Sequence, residues 1–167
     1  SLLSGMPLDR VGGSIATFDF LYLSELHGRS RCAITVPEGR VSAPTQGGFV
    51  LDSLPGLYDR VGVFDFRSLY PSIIRTFRLD PLGVIPRGQE PRTGTPITTP
   101  NGARFEREGG ILPELLDRLF PLREEAIERK DGLTAQAIKI LMNSFYGVLG
   151  ATRCRFYSHD TAHGITS

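Results

Sequence analysis

Cysteine is scarce in this chain. Its two copies, Cys32 and Cys154, stand far apart, with no CxxC spacing and no histidine pattern beside them. That argues against a thiolate zinc site and against a disulfide framework, so both read as reduced bystander thiols. Lysine is nearly missing too: of nineteen basic residues only Lys130 and Lys139 are lysines. Arginine suits bidentate contact with phosphate, yet a net charge of +1 and a pI near 7.8 give no basic excess that would by itself indicate nucleic acid. No apolar run is long enough to span a bilayer. The segment SLLSGMPLDR lacks the basic start and apolar core of a signal peptide. The expectation is a cytoplasmic protein with no membrane partner. His27, His159 and His163 read as surface or loop residues, although 159 and 163 could share a helical face. What is present is ordinary for one modest domain with a real core: 167 residues, 40% apolar and 22% charged.

Read for organisation, the chain has no internal repeat. Residues 1–30 carry apolar positions at helical spacing, Leu8, Val11, Ile15, Phe18, Leu21 and Tyr22, weakened by Gly12 and Gly13. Residues 31–59 read as short strands broken by Pro37, Gly39, Pro44 and Gly47–Gly48. Alternation of Val61, Val63 and Asp65 with Gly62, Phe64 and Phe66 predicts a strand over 60–66. A polar stretch follows Pro81, and its part RGQEPRTGTP has the composition of a disordered segment. ITTP and ARFE flank Asn101–Gly102, the preferred pair for a type I′ hairpin turn. A helix is predicted from Leu112, with Pro113 in its first turn and a stripe of Leu112, Leu115, Leu116, Leu119 and Leu122. Pro121 is expected to kink or interrupt it. A second helix is predicted from about Thr134 to Tyr146. Asp131–Gly132 turns the chain between the two, giving an antiparallel hairpin. The fold class is α/β of the α+β kind.

Two strings carry chemistry. VFDFRSLYPSII, residues 63–74, places Asp65 at the end of an apolar strand, where a hard cation could take its oxygens together with the Phe66 carbonyl. Ser68 then opens a helix, and helix N-termini present free N–H groups to anions. The second string is KILMNSFYG, residues 139–147. At about 100° per residue, Lys139, Asn143, Tyr146 and Gly147 fall within little more than one quadrant, apart from the apolar stripe of Ile138, Leu141, Met142, Phe145 and Leu149. A plain solvated face would carry Glu, Lys and Arg instead. An isolated D-x-x-S would mean no more than a strand end and a helix cap; the two strings in order describe a site for a metal-bound triphosphate.

DFRSLYPSII resembles motif A, and KILMNSFYG motif B, of the family B DNA polymerases. PLDRVGGS, GGFVLDSLPGLYD, IIRTFRLDPLG and the short helical hairpin resemble the bacterial repair members of that family. The resemblance covers nearly the whole chain outside 84–108. It implies a partial palm sheet with a two-helix fingers hairpin. Residues 1–45 would approach the palm, 46–110 form a palm portion with motif A, 111–148 form the fingers with motif B, and 149–167 return to the palm. It implies that Asp65, with Phe66, binds two Mg2+ ions, and that Asp65 and Lys139 are catalytic. Ser68, Leu69, Tyr70, Arg123, Lys139 and Asn143 would bind the deoxynucleoside triphosphate, with Tyr70 excluding a 2′-OH. Gly47, Gly48, Tyr146 and Gly147 would contact primer–template DNA. Pro121 unsettles the aim of Arg123, and Arg129 or Lys130 are the alternatives. The implied setting is the nucleoid, with a sliding clamp as a partner of regions outside this chain. No D-x-D string, the second carboxylate motif of the family, occurs among the 167 residues. The expectation is therefore a piece of a larger repair or damage-tolerant polymerase, inactive alone. The other reading left open is a non-catalytic nucleic-acid-binding or scaffolding remnant.

Overall fold

The computed structural model describes residues 6–7, 13–36, 39–41, 48 and 50–167. Helix α1 spans Ser14–Gly28 and turns Phe18, Tyr22 and Leu26 inward at i, i+4 spacing. The predicted positions Leu8 and Val11 lie outside the described residues. Helix α2, Leu69–Thr76, is short and strongly amphipathic, burying Pro71 and Ile74. Helices α3, Ile111–Glu128, and α4, Gly132–Leu149, form the expected hairpin. The Asp131 carboxylate caps α4 by accepting the Thr134 N–H at 3.0 Å. Helix α5 covers His159–Thr166.

Helix α4 is the central element, packed against α1, α2, α3 and α5. Its buried residues Ile138, Met142, Phe145, Val148 and Leu149 meet Leu112, Leu115, Leu116 and Leu119 of α3 and the aromatic face of α1 in one core. Phe18 sits edge-on to Phe145 with ring centroids 5.4 Å apart, and Tyr22 lies 4.2 Å from Phe156. The first three long chain reversals share one device. Ser30, Arg78 and Lys130 adopt left-handed φ of 54°, 53° and 59° just past α1, α2 and α3. The next N–H of each then bonds back into the last turn: Arg31 to Leu26, Leu79 to Ile74, Asp131 to Ala126.

A buried carboxylate ties these parts together. Asp80, 1% exposed, accepts the Tyr22 hydroxyl at 2.7 Å and the Leu82 N–H at 2.9 Å on Oδ1, and the Leu112 N–H at 2.8 Å on Oδ2. It is thus a remote cap for the start of α3, since a first-turn amide has no partner inside its own helix. Burial pushes its pKa up, against the pull of these donors.

Beside the helices is a three-stranded antiparallel sheet, β1 Val84–Ile85, β2 Ile97–Thr98 and β3 Arg104–Phe105, in the order β1-β3-β2. The hairpin predicted about Asn101–Gly102 is present, but its turn differs. Thr99 C=O accepts the Gly102 N–H at 2.8 Å, and only Gly102 has positive φ, 80°. This is a three-residue loop ending in a left-handed glycine, because Pro100 has no N–H to pair with the Ala103 carbonyl, which takes the Thr99 N–H at 2.9 Å instead. The stretch from Arg87 to Pro96, expected disordered, is a placed excursion of turns. The largely buried Glu106 carboxylate accepts the Arg92 N–H at 2.8 Å and anchors it.

Three other expectations are corrected. Residues 60–66 form no strand, because no strand lies alongside to take their N–H and C=O groups among the described residues; Val63 and Phe64 are 90% and 96% exposed. The described residues of 31–59 likewise contain no strand. Pro121 does not interrupt α3, which runs unbroken through it. Pro121 is solvent-facing, so its ring crowds no packed neighbour and the loss is confined to one ladder bond. Leu122, placed on the apolar stripe, is 39% exposed.

Candidate functional site

The N-terminus of α2 is built in an unusual way. Ser68, at its cap position, has left-handed backbone angles, φ 54° and ψ 51°, and its hydroxyl caps nothing. A non-glycine residue there is strained, and such strain concentrates at functional positions. The Ser68 hydroxyl instead accepts Arg123 Nη1 from α3 at 3.3 Å. Ser68 C=O takes the Ser72 N–H. The amides of Leu69 and Tyr70 belong to the unpaired first turn.

This turn forms one wall of an open pocket of about 780 Å³. Residues 65–70 line one side, Arg123 projects from α3, and Lys139, Asn143, Tyr146 and Gly147 line the other side from α4. The pocket thus brings together Asp65, Phe66, Ser68, Leu69, Tyr70, Arg123, Lys139, Asn143, Tyr146 and Gly147, all singled out in the sequence. The rings of Tyr70 and Tyr146 lie 4.5 Å apart at 34° and close the floor between the two walls. A Cβ added to Gly147 would meet nothing within 4 Å. Packing inside this chain therefore does not call for glycine there, and the bare backbone faces open space.

Gly48 is exposed and does not line this pocket, and Gly47 lies outside the described residues. Arg129 and Lys130 are not pocket residues either. They stand at the far end of α3, where Arg129 approaches Glu125 at 4.0 Å. Of these three cations Arg123 lines the pocket. Arg67 is the lining residue that the sequence reading passed over. It stands inside the motif A string, and its guanidinium lies 3.8 Å from Glu124. Its position between Asp65 and Ser68 was the available signal.

The chemistry of the pocket is lopsided. Arg67, Arg123 and Lys139 supply three cations against the single carboxylate of Asp65. Arg123 Nε is buried with no partner among the described residues. An orphaned buried donor of this kind invites an acceptor. The volume is in the range that holds a small-molecule ligand, and the donors fit an oxyanion. No group of three His, Cys, Asp or Glu side chains that could hold a metal occurs among the described residues. Asp65 with the Phe66 carbonyl still fits a magnesium ion that arrives with phosphate oxygens, because such an ion takes only one or two protein carboxylates.

The family model described as DNA polymerase family B matches residues 13–167. The chain belongs to this family. Among curated relatives, DNA polymerase II of Escherichia coli (strain K12) is 43% identical over 98% of this chain and 21% of its own length. A DNA polymerase of Thermococcus sp. (strain 9oN-7) is 32% identical over 89% of this chain and 21% of its length. The DNA polymerase alpha catalytic subunit of Arabidopsis thaliana is 36% identical over 72% of this chain and 8% of its length. The solved family B DNA polymerase of the hyperthermophilic archaeon Pyrobaculum calidifontis superposes with a TM-score of 0.76 at 28% identity, covering 98% of this chain and 24% of that one. This family B chain thus spans about a fifth of the length of the first of these relatives. Its mixed fold of helices and a small antiparallel sheet matches a fragment of such a polymerase. No helix among the described residues is long and apolar enough to cross a membrane.

Proposed function

We propose that this chain is the nucleotide-receiving part of a DNA-directed DNA polymerase. Residues 46–110 would belong to the palm and 111–148 form the fingers, and the parent enzyme would work in repair or damage-tolerant synthesis. The observation that carries the reading is the single pocket joining the 65–70 turn, Arg123 and the polar face of α4. Primer–template DNA and deoxynucleoside triphosphates are the substrates.

In this reading Arg123, Lys139 and Asn143, with the open amides of Leu69 and Tyr70, bind the triphosphate tail. Most of the catalysis of such phosphoryl transfers is positioning and electrostatics. The primer 3′-hydroxyl releases its proton to water as its oxygen bonds the α-phosphorus and the bond to pyrophosphate breaks, and the Lys139 ammonium donates its proton to the departing pyrophosphate. Tyr70 packs under the sugar, where an added 2′-hydroxyl would collide with its ring. Tyr146 and the bare backbone at Gly147 leave room for the new base pair. Magnesium, held by Asp65 and the Phe66 carbonyl, would supply charge neutralisation and an activated hydroxyl. This chain brings one carboxylate to that chemistry, so activity belongs to the longer protein.

The test is Asp65→Ala in the full-length polymerase, assayed by single-nucleotide primer extension. Incorporation is expected to fall by on the order of a thousandfold or more, as for loss of a transition-state electrostatic group. Synthesis at the wild-type rate would refute the assignment.

A further inference from the structure

Arg123 lines the pocket with no ion-pair partner among the described residues. Among the described residues its guanidinium makes one long hydrogen bond, Nη1 to the Ser68 hydroxyl at 3.3 Å, and its buried Nε bonds nothing. Two turns earlier on the same helix, Asp117 is heavily engaged. Its Oδ1 accepts Arg75 Nε at 2.6 Å and its Oδ2 accepts Arg78 Nη1 at 2.8 Å. Arg75 also lies over the ring of Phe120, 5.1 Å from its centroid. Glu124 faces Arg67 at 3.8 Å. Positions 117, 120 and 124 recur on one face of α3, and that face is docked along α2 and its flanks. Pro121 matters between them. Lacking an N–H, it leaves the Asp117 carbonyl without its ladder partner. The helix therefore has one fewer internal tie between Asp117 and Arg123, and contacts to α2 must hold this turn in place.

We infer that Asp117 is a positioning residue: by gripping Arg75 and Arg78 it fixes α3 against α2 and so sets how far the Arg123 guanidinium stands from the Ser68–Tyr70 turn. The inference rests on the nucleotide reading of the pocket. Asp117 does not line the pocket and its hydrogen bonds go to Arg75 and Arg78, so its effect should fall on nucleotide affinity and leave the chemical step alone.

The experiment is a double-mutant cycle in the full-length polymerase, reading KM for deoxynucleoside triphosphate and kcat in primer extension. Asp117→Asn is expected to raise KM about tenfold, the size of coupling seen between residues of one charged network, with kcat within about twofold. In an Arg123→Ala background the same Asp117→Asn change is expected to do nothing further. Asp117→Glu, which keeps the carboxylate, is expected to restore most of the affinity. Arg78→Gln, which leaves Arg75 on the carboxylate, should show a smaller rise that vanishes in the same background and serves where Asp117→Asn fails to fold. An unchanged KM in Asp117→Asn, or an equal rise with and without Arg123, overturns the inference alone. An unchanged KM in Arg123→Ala overturns the nucleotide reading and the inference with it.

Discussion

Tyr22→Phe deletes one oxygen and nothing else. The ring is fully buried between Phe18 and Phe156, and phenylalanine would keep those contacts. What goes is the 2.7 Å hydrogen bond to Asp80 Oδ1. Three donors converge on that carboxyl, and a bond to it contributes about 1.5–3 kcal/mol where it is charged. Oδ1 keeps the Leu82 N–H, which places the loss at the low end, about 1.5 kcal/mol. For a chain of this length that is roughly 3–6 °C in Tm. The pH dependence is the sharper signature. Burial raises the Asp80 pKa, and the Tyr22 hydroxyl opposes that rise. With the folded value above the ordinary carboxylate value of 3.8, the stability tied to Asp80 is fullest below that value and declines as pH climbs through the folded value. Removing the hydroxyl raises the folded value further. The gap between wild type and Tyr22→Phe should therefore widen from pH 4.5 to pH 7.5. Tyr22 is a neutral donor throughout, because burial first, and then the Asp80 charge, push its own pKa well above 10. Urea unfolding of the 167-residue chain at both pH values measures the gap. Equal gaps, or no loss at pH 7.5, would show that the Tyr22 hydroxyl does not tune Asp80 as argued.

Two further outcomes are expected. Burial, the largest influence on the Cys154 thiol, pushes its pKa up to about 12, whereas Cys32 is exposed; a maleimide at pH 7.5 should modify one thiol in the native chain and two in urea, as counted by mass spectrometry. Gly102→Ala should cost about 1 kcal/mol, the strain of a left-handed alanine, because φ there is 80° and no neighbour lies within 4 Å to add a clash; Gly102→Asn should cost less in the same urea titration.

Helices were legible where the apolar spacing was long and consistent. Leu122 apart, the stripes of α3 and α4, and the turn at Asp131, lay where periodicity and capping put them. The pocket was legible because its residues come from two short strings whose helical spacing fixes which side chains share a face. Other features depend on partners far away in sequence. The alternation over 60–66 is a real strand pattern, but alternation is only half of a strand, and the other half is a neighbour to bond with. The anchoring of the Arg87–Pro96 excursion rests on Glu106, and nothing local in that segment announces it. Asp80 likewise reads as an ordinary turn residue until Tyr22 and Leu112 are seen to converge on it. Pro121 misled because its effect depends on which way the ring faces, a tertiary fact.

The two sides of the pocket are unequally braced. Lys139, Asn143 and Arg123 ride on helices locked into the core, while Asp65 and Phe66 sit on an open length of chain with its backbone bare to water. Any guest that touches only the helical bank meets a surface already organised. A guest that also recruits the acidic bank must first still that length, at about 1–2 kcal/mol for each residue whose backbone is fixed. Binding at the helical bank and engagement of the carboxylate are therefore separable in free energy, with the second drawing on whatever holds residues 60–66 in place.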